Sequence, residues 1–152
     1  MCIRDRDNFK LANDVFGHAY GDSMIAQNAE RLRSFFREED ILCRVGGDEF
    51  LVLCKNIREE AVIRKLDTIV RSMVVTYKTK DHAIVFSISA GFAMAPEQGR
   101  TFDELYQKAD MALFSAKMGG KNAFSKYHSD MKSVRYELAE KELPPTLHGE
   151  RD

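Results

Sequence analysis

Residues 83–95, AIVFSISAGFAMA, constrain the fold more than any other stretch of this chain. The larger apolar side chains fall at Ile84, Phe86, Ile88, Phe92 and Met94, with small residues between them and no charge. A period of two belongs to a strand, and a strand with no charge on either face belongs inside a sheet. Such a strand needs neighbours. ILCRV and FLVLC lie on either side of Gly46-Gly47 and read as two strands of a tight hairpin, because both glycines can take a positive φ. NAFSKY, from Asn122 to Tyr127, reads as a further short strand.

Helical periods separate these segments. Residues 22–36 place Ile25, Ala29, Leu32 and Phe36 on one stripe, with Asp22 or Ser23 available as N-cap. From Arg58 to Met73 a second stripe runs through Val62, Leu66, Ile69, Val70 and Met73. A third helix starts at Thr101, where Thr-Phe-Asp-Glu supplies a capping box. It continues through Phe102, Leu105, Ala109, Leu113 and Ala116 and stops at Gly119-Gly120. A last helix is expected from Ser129 to Leu143, ahead of Pro144-Pro145. This order predicts an α/β (α+β) two-layer sandwich of the ferredoxin-like type. That architecture requires a central strand before the first helix, and only MCIRD is available for it. The first strand is therefore expected to be largely missing, and the front of the chain reads as cut.

At 152 residues and 44% hydrophobic content, one domain can bury a core unaided. Lys and Arg number 23 against 24 Asp and Glu, so a broad nucleic-acid surface is not expected. The cysteines, Cys2, Cys43 and Cys54, show no C-x-x-C spacing; Cys43 and Cys54 sit in apolar runs and read as reduced core thiols. No apolar stretch approaches the roughly 18 residues of a membrane span, and MCIRDR lacks the apolar centre of a signal peptide. The chain reads as soluble and cytoplasmic.

Three clusters can carry chemistry, and each has a bland counterpart. Asp48 and Glu49 follow the glycine pair, as they would in any solvated turn. DRDNFKLANDVFGHAYGD, Asp5 to Asp22, gathers carboxylates, amides and Lys10 around a helix start. These are ordinary turn residues, but Asn and Asp can also read a purine edge while a lysine meets phosphate. ADMALFSAKMGGKN sets Lys117 and Lys121 around a glycine break, either to complement a helix dipole or to hold a triphosphate. Spacing alone leaves both readings open.

GGDEF at Gly46 to Phe50, with DNFKLANDVFGHAYGD, FSISAGFA and ADMALFSAKMGGKN in the same order, resembles the GGDEF family of bacterial diguanylate cyclases. The likeness runs from about Asp5 to Asn122. It implies the nucleotidyl-cyclase palm-type fold over residues 1–128, with 129–152 a helical connector or tail like those that lead into EAL phosphodiesterase domains. It also implies a homodimer that condenses two GTP into cyclic di-GMP, releases pyrophosphate and uses Mg²⁺, with Mn²⁺ as a substitute. By the same resemblance Asp48 is a metal ligand and proton acceptor, and Glu49 supports metal binding or deprotonation. Asp5 and the carbonyl of Arg6 complete the metal site. Asn13 and Asp22 hold guanine, His18 lies near substrate, and Gly46 and Gly47 admit the nucleotide. Lys10, with a catalytic role, Lys117 and Lys121 meet phosphates; Lys121 stands where arginine is common in the family.

Arg37 and Asp40 match the family's R-x-x-D product-inhibition motif, and a guanidinium suits the guanine N7 and O6 acceptors. At ~3.3 Å per residue, the strand Ile41 to Val45 holds them on the order of 15 Å from the hairpin tip. The bland counterpart is an exposed helix-end ion pair. The alternative function is a module that binds GTP or cyclic di-GMP and regulates an attached EAL domain. A truncated chain without its central strand would be inactive.

Overall fold

A computed structural model of the chain describes residues 2–7, 9–78 and 83–131. Strand β5 (Ala83–Phe92) lies inside the sheet, as its alternation requires. Strand β1 (Cys2–Asp7) pairs antiparallel with β5 from Cys2↔Phe92 to Asp7↔Ser87. The same β1 pairs antiparallel with β3 (Glu49–Leu53), which pairs with β2 (Ile41–Gly46). Strand β4 (Val75–Lys78) adds to β5, and β6 (Phe124–Lys126) pairs with it in parallel at Ala90–Phe92. The order is β2-β3-β1-β5-β4, so the short segment available for the central strand occupies that place, as six residues from Cys2 to Asp7. The polar run RDRD gives no strand signal of its own; partners on both edges decide the conformation, as tertiary context commonly does for strands.

The helices are α1 (Phe9–Phe16), α2 (His18–Arg33), α3 (Glu59–Ser72) and α4 (Phe102–Met118). The path β1, α2, β2, β3, α3, β5 is the ferredoxin-like unit, with α2 and α3 on one face of the sheet. Phe50, Val52, Ile88, Ala90 and Phe92 meet Ile25 and Leu32 from α2 and Val62, Leu66, Ile69 and Val70 from α3. Because successive strand residues face opposite ways, Leu51 and Ala93 fall on the other face, where they meet Leu105, Ala109 and Leu113 of α4. α4 therefore adds a layer to the expected sandwich. Its start is the expected box: the Thr101 hydroxyl accepts from the Glu104 N–H, and the Glu104 carboxylate accepts from Thr101 N–H. Backbone N–H donors from Arg100 and then Thr101 hold the Glu104 carboxyl below the usual carboxylate range.

Several local expectations change. α2 begins at His18 rather than Asp22, because Gly17 at φ 84 separates it from α1 and caps it without a side chain. Helix α1 and strand β4, eight and four residues long, carry too little periodicity to read in advance. Cys43 is exposed, since β2 is an edge strand and α4 does not reach the face holding Ile41, Cys43 and Val45, of which Ile41 and Val45 are 50% and 48% exposed. Cys54 is half-buried, and that burial pushes its thiol pKa up, with the Asp40 carboxylate adding to the effect. The thiol therefore stays protonated at neutral pH. Ser129 and Asp130 sit in a turn and Met131 is not helical, so the helix does not start at Ser129, and the stretch expected to continue to Leu143 lies outside the described residues from position 132 on.

Candidate active site

The hairpin closes with Gly46 paired to Glu49, which leaves Gly47 and Asp48 as a two-residue loop, and the register shifts between Arg44 and Gly46. Gly47 takes φ 48, whereas Gly46 does not enter the left-handed region, so only one of the two glycines is needed for the turn itself. A Cβ on either glycine would meet nothing within 4 Å. The backbone here faces open space, which leaves room for a large ligand to approach. Asp48 and Glu49 are both half-buried.

Register brings the remaining acid position to the same place. The β1–β3 ladder pairs Arg4 with Phe50, so Asp5 and Glu49 are the next residues at the same end of neighbouring strands. The side chains of Asp5, Arg6 and Lys10 lie outside the described ones. α1 starts two residues after β1, and carries Asn13, whose carbonyl accepts from Gly17 N–H at 2.9 Å. His18 opens α2, and both His18 and Asp22 are exposed.

The lysines arrive from the opposite face. Packing at Gly91 leaves no room for a side chain: a Cβ there would stand 2.0 Å from Leu113 N and 2.2 Å from Ala109 O. The backbone of α4 thus lies directly on β5. Leu105 packs with Ala93 and the Ala109–Leu113 turn lies over Gly91, so α4 runs toward the level of Ser89, which pairs with Asp5. Its last turn brings Lys117, and Lys121 follows at φ 62 with its N–H bonded to Ala116 O at 3.3 Å. Gly91 is passed over in the sequence reading; the signal that could have found it is a glycine inside an otherwise apolar strand, which often marks the close approach of another backbone.

Arg37 and Asp40 lie at the other end of β2, beside the Ile41↔Leu53 pair. They do not form the exposed ion pair of the bland reading. Asp40 is 5% exposed, and its carboxylate accepts from Arg37 N–H at 3.0 Å and Lys55 N–H at 3.2 Å. Arg33 clamps the same loop through the carbonyls of Asp40 and Glu38, at 2.8 and 3.1 Å. The Arg37 side chain is 62% exposed and 3.8 Å from Glu39. Asp40→Ala should therefore cost about 2 kcal/mol by leaving two amides unpaired, whereas Arg37→Ala should change stability by less than about 0.5 kcal/mol. Urea denaturation of the two variants separates these outcomes; equal midpoints would contradict the buried tie.

The family model described as "Diguanylate cyclase, GGDEF domain" matches residues 1–123. The chain belongs to the GGDEF family. This GGDEF domain is 37% identical over 132 residues to the bifunctional diguanylate cyclase/cyclic di-GMP phosphodiesterase MucR of Pseudomonas aeruginosa, covering 86% of the chain and 19% of MucR. It is 32% identical to the cyclic di-GMP phosphodiesterase PdeR of Escherichia coli, over 88% of the chain and 20% of PdeR. The chain thus spans about a fifth of the length of each. The solved GGDEF domain of TpbB from Pseudomonas aeruginosa superposes with a TM-score of 0.75 at 33% identity, covering 84% of this chain and 80% of that one. Among the described residues no helix of the GGDEF domain is long and apolar enough to cross a membrane.

Proposed function

We propose that this GGDEF domain is a diguanylate cyclase, which condenses two GTP into cyclic di-GMP within a homodimer. The observation that supports the reading is register: the Asp48-Glu49 turn and the Asp5 end of β1 lie at the same end of neighbouring strands, and α4, seated on Gly91, runs toward the level of Ser89, which pairs with Asp5. In each half-reaction the 3′-hydroxyl of one GTP attacks the α-phosphate of the other. A new P–O bond forms, the bond to the β-phosphate oxygen breaks, and pyrophosphate leaves. Glu49 or Asp48 takes the hydroxyl proton, Asn13 and Asp22 bind guanine beside His18, and Lys10, Lys117 and Lys121 hold phosphate oxygens. The bare turn at Gly46-Gly47 admits the nucleotide.

The donor set fits Mg²⁺ or Mn²⁺. Asp48, Glu49 and Asp5 with the Arg6 carbonyl are hard oxygen donors. Few protein carboxylates completed by substrate phosphates is the pattern Mg²⁺ favours. When bound, the cation lowers the pKa of the attacking hydroxyl and neutralises charge on the leaving group.

Arg37, exposed at the far end of β2, is proposed to bind the product as the R-x-x-D arginine, with Asp40 shaping the loop. Arg37→Ala should keep turnover within about twofold and raise the product concentration that halves the rate by about tenfold, the worth of one charged hydrogen bond. An unchanged inhibition curve would remove Arg37 from the product site. A second reading draws on the likeness to PdeR: the domain binds GTP or cyclic di-GMP and regulates an attached EAL domain, with 129–152 as the connector. On either reading the proposed setting is the cytoplasm and residues 1–128 are the functional unit.

A further inference from the structure

A two-residue turn leaves the carbonyl of its first residue outside the ladder, free to rotate with its peptide plane. At the signature hairpin that carbonyl belongs to Gly47, whose φ of 48 lies where glycine moves with the least restriction. It is not left alone. The Nε–H of Arg44, just before the register shift, donates to Gly47 O at 2.7 Å. The Gly47–Asp48 peptide is planar and trans, so fixing the carbonyl also fixes the opposed direction of the Asp48 N–H and the point from which the Asp48 side chain departs.

We propose that Arg44 is a positioning residue that locks the Gly47–Asp48 peptide plane and thereby aims Asp48 into the active site. Its catalytic consequence rests on the cyclase reading above; its effect on the turn does not. Val45 is the extra residue that brings Arg44 within reach of the loop, so the irregularity in β2 and the bond to Gly47 are parts of one arrangement. Arg44 is exposed, and removing its side chain opens no cavity.

Two substitutions separate the directional bond from the charge. Gln places its Nε2 donor the same number of bonds from the backbone as the arginine Nε, without the charge, whereas Met has similar length and no donor. In the 152-residue chain, Arg44→Met should speed hydrogen exchange at the Asp48 and Glu49 amides about tenfold, with exchange at Ile88 unchanged as the measure of global opening. It should lower kcat about tenfold with the GTP KM within about twofold, the signature of a misaligned reacting group rather than lost binding. Arg44→Gln should restore both to within about threefold of the parent. Unchanged exchange in Arg44→Met, or Arg44→Gln behaving like Arg44→Met, would overturn the proposal, the latter by assigning the role to charge. Exchange is read without GTP, so a parent chain that fails to turn over GTP counts against the cyclase reading while the exchange result still decides the role of Arg44.

Discussion

Glu49→Ala is expected to lower kcat by about 10³-fold, within the range for loss of a general base, while leaving the melting temperature within about 2 °C of the parent. The structure explains why function and stability part company here. Glu49 is tied to Gly46 through the backbone ladder, so truncating its side chain leaves the hairpin pairing in place. Its side chain is half-buried at the sheet end, next in register to Asp5, and belongs to none of the apolar clusters of the core. A steady-state assay beside a melting curve checks both halves. A variant that keeps more than about a tenth of the parent rate would remove Glu49 from the chemistry.

Gly91→Ala should have the largest effect on stability, for the opposite reason. The added methyl would stand 2.0 Å from the Leu113 nitrogen and 2.2 Å from the Ala109 carbonyl, both backbone atoms that no rotamer change can move. Either β5 bends or α4 lifts, and overpacking of this kind costs about 3 kcal/mol. In a chain of this length that lowers the melting temperature by about 10 °C. Because α4 carries Lys117 and leads to Lys121, the same shift should weaken GTP turnover in whatever fraction remains folded. Thermal or urea denaturation of the variant measures the first effect; a midpoint unchanged from the parent would mean that α4 does not rest on Gly91 as described.

These two positions show where the sequence was legible. The alternation of β5 and the stripe of α3 reflect one-dimensional patterns, and the structure returns them nearly unchanged: Arg58 to Met73 was expected and Glu59–Ser72 is found. The capping box at Thr101 is local chemistry and was equally readable. The position of β1 was not, because a polar segment becomes a central strand only when β3 and β5 accept it. Burial of Asp40 depends on Lys55, fifteen residues away and across the hairpin. The exposure of Cys43 depends on how far α4 extends over the sheet, which no local pattern encodes. At the candidate site, the residue types and their order could be read in advance, while the placing of Asp5 beside Glu49 is a property of the sheet register and the course of α4 a property of its seat on Gly91.

The central claim is most directly tested by incubating the purified chain with GTP and Mg²⁺ and resolving the products chromatographically. The account predicts cyclic di-GMP together with two pyrophosphates for each molecule formed, and loss of both when the metal is chelated. A cooperatively folded chain that leaves GTP unconsumed in the presence of Mg²⁺ would contradict it.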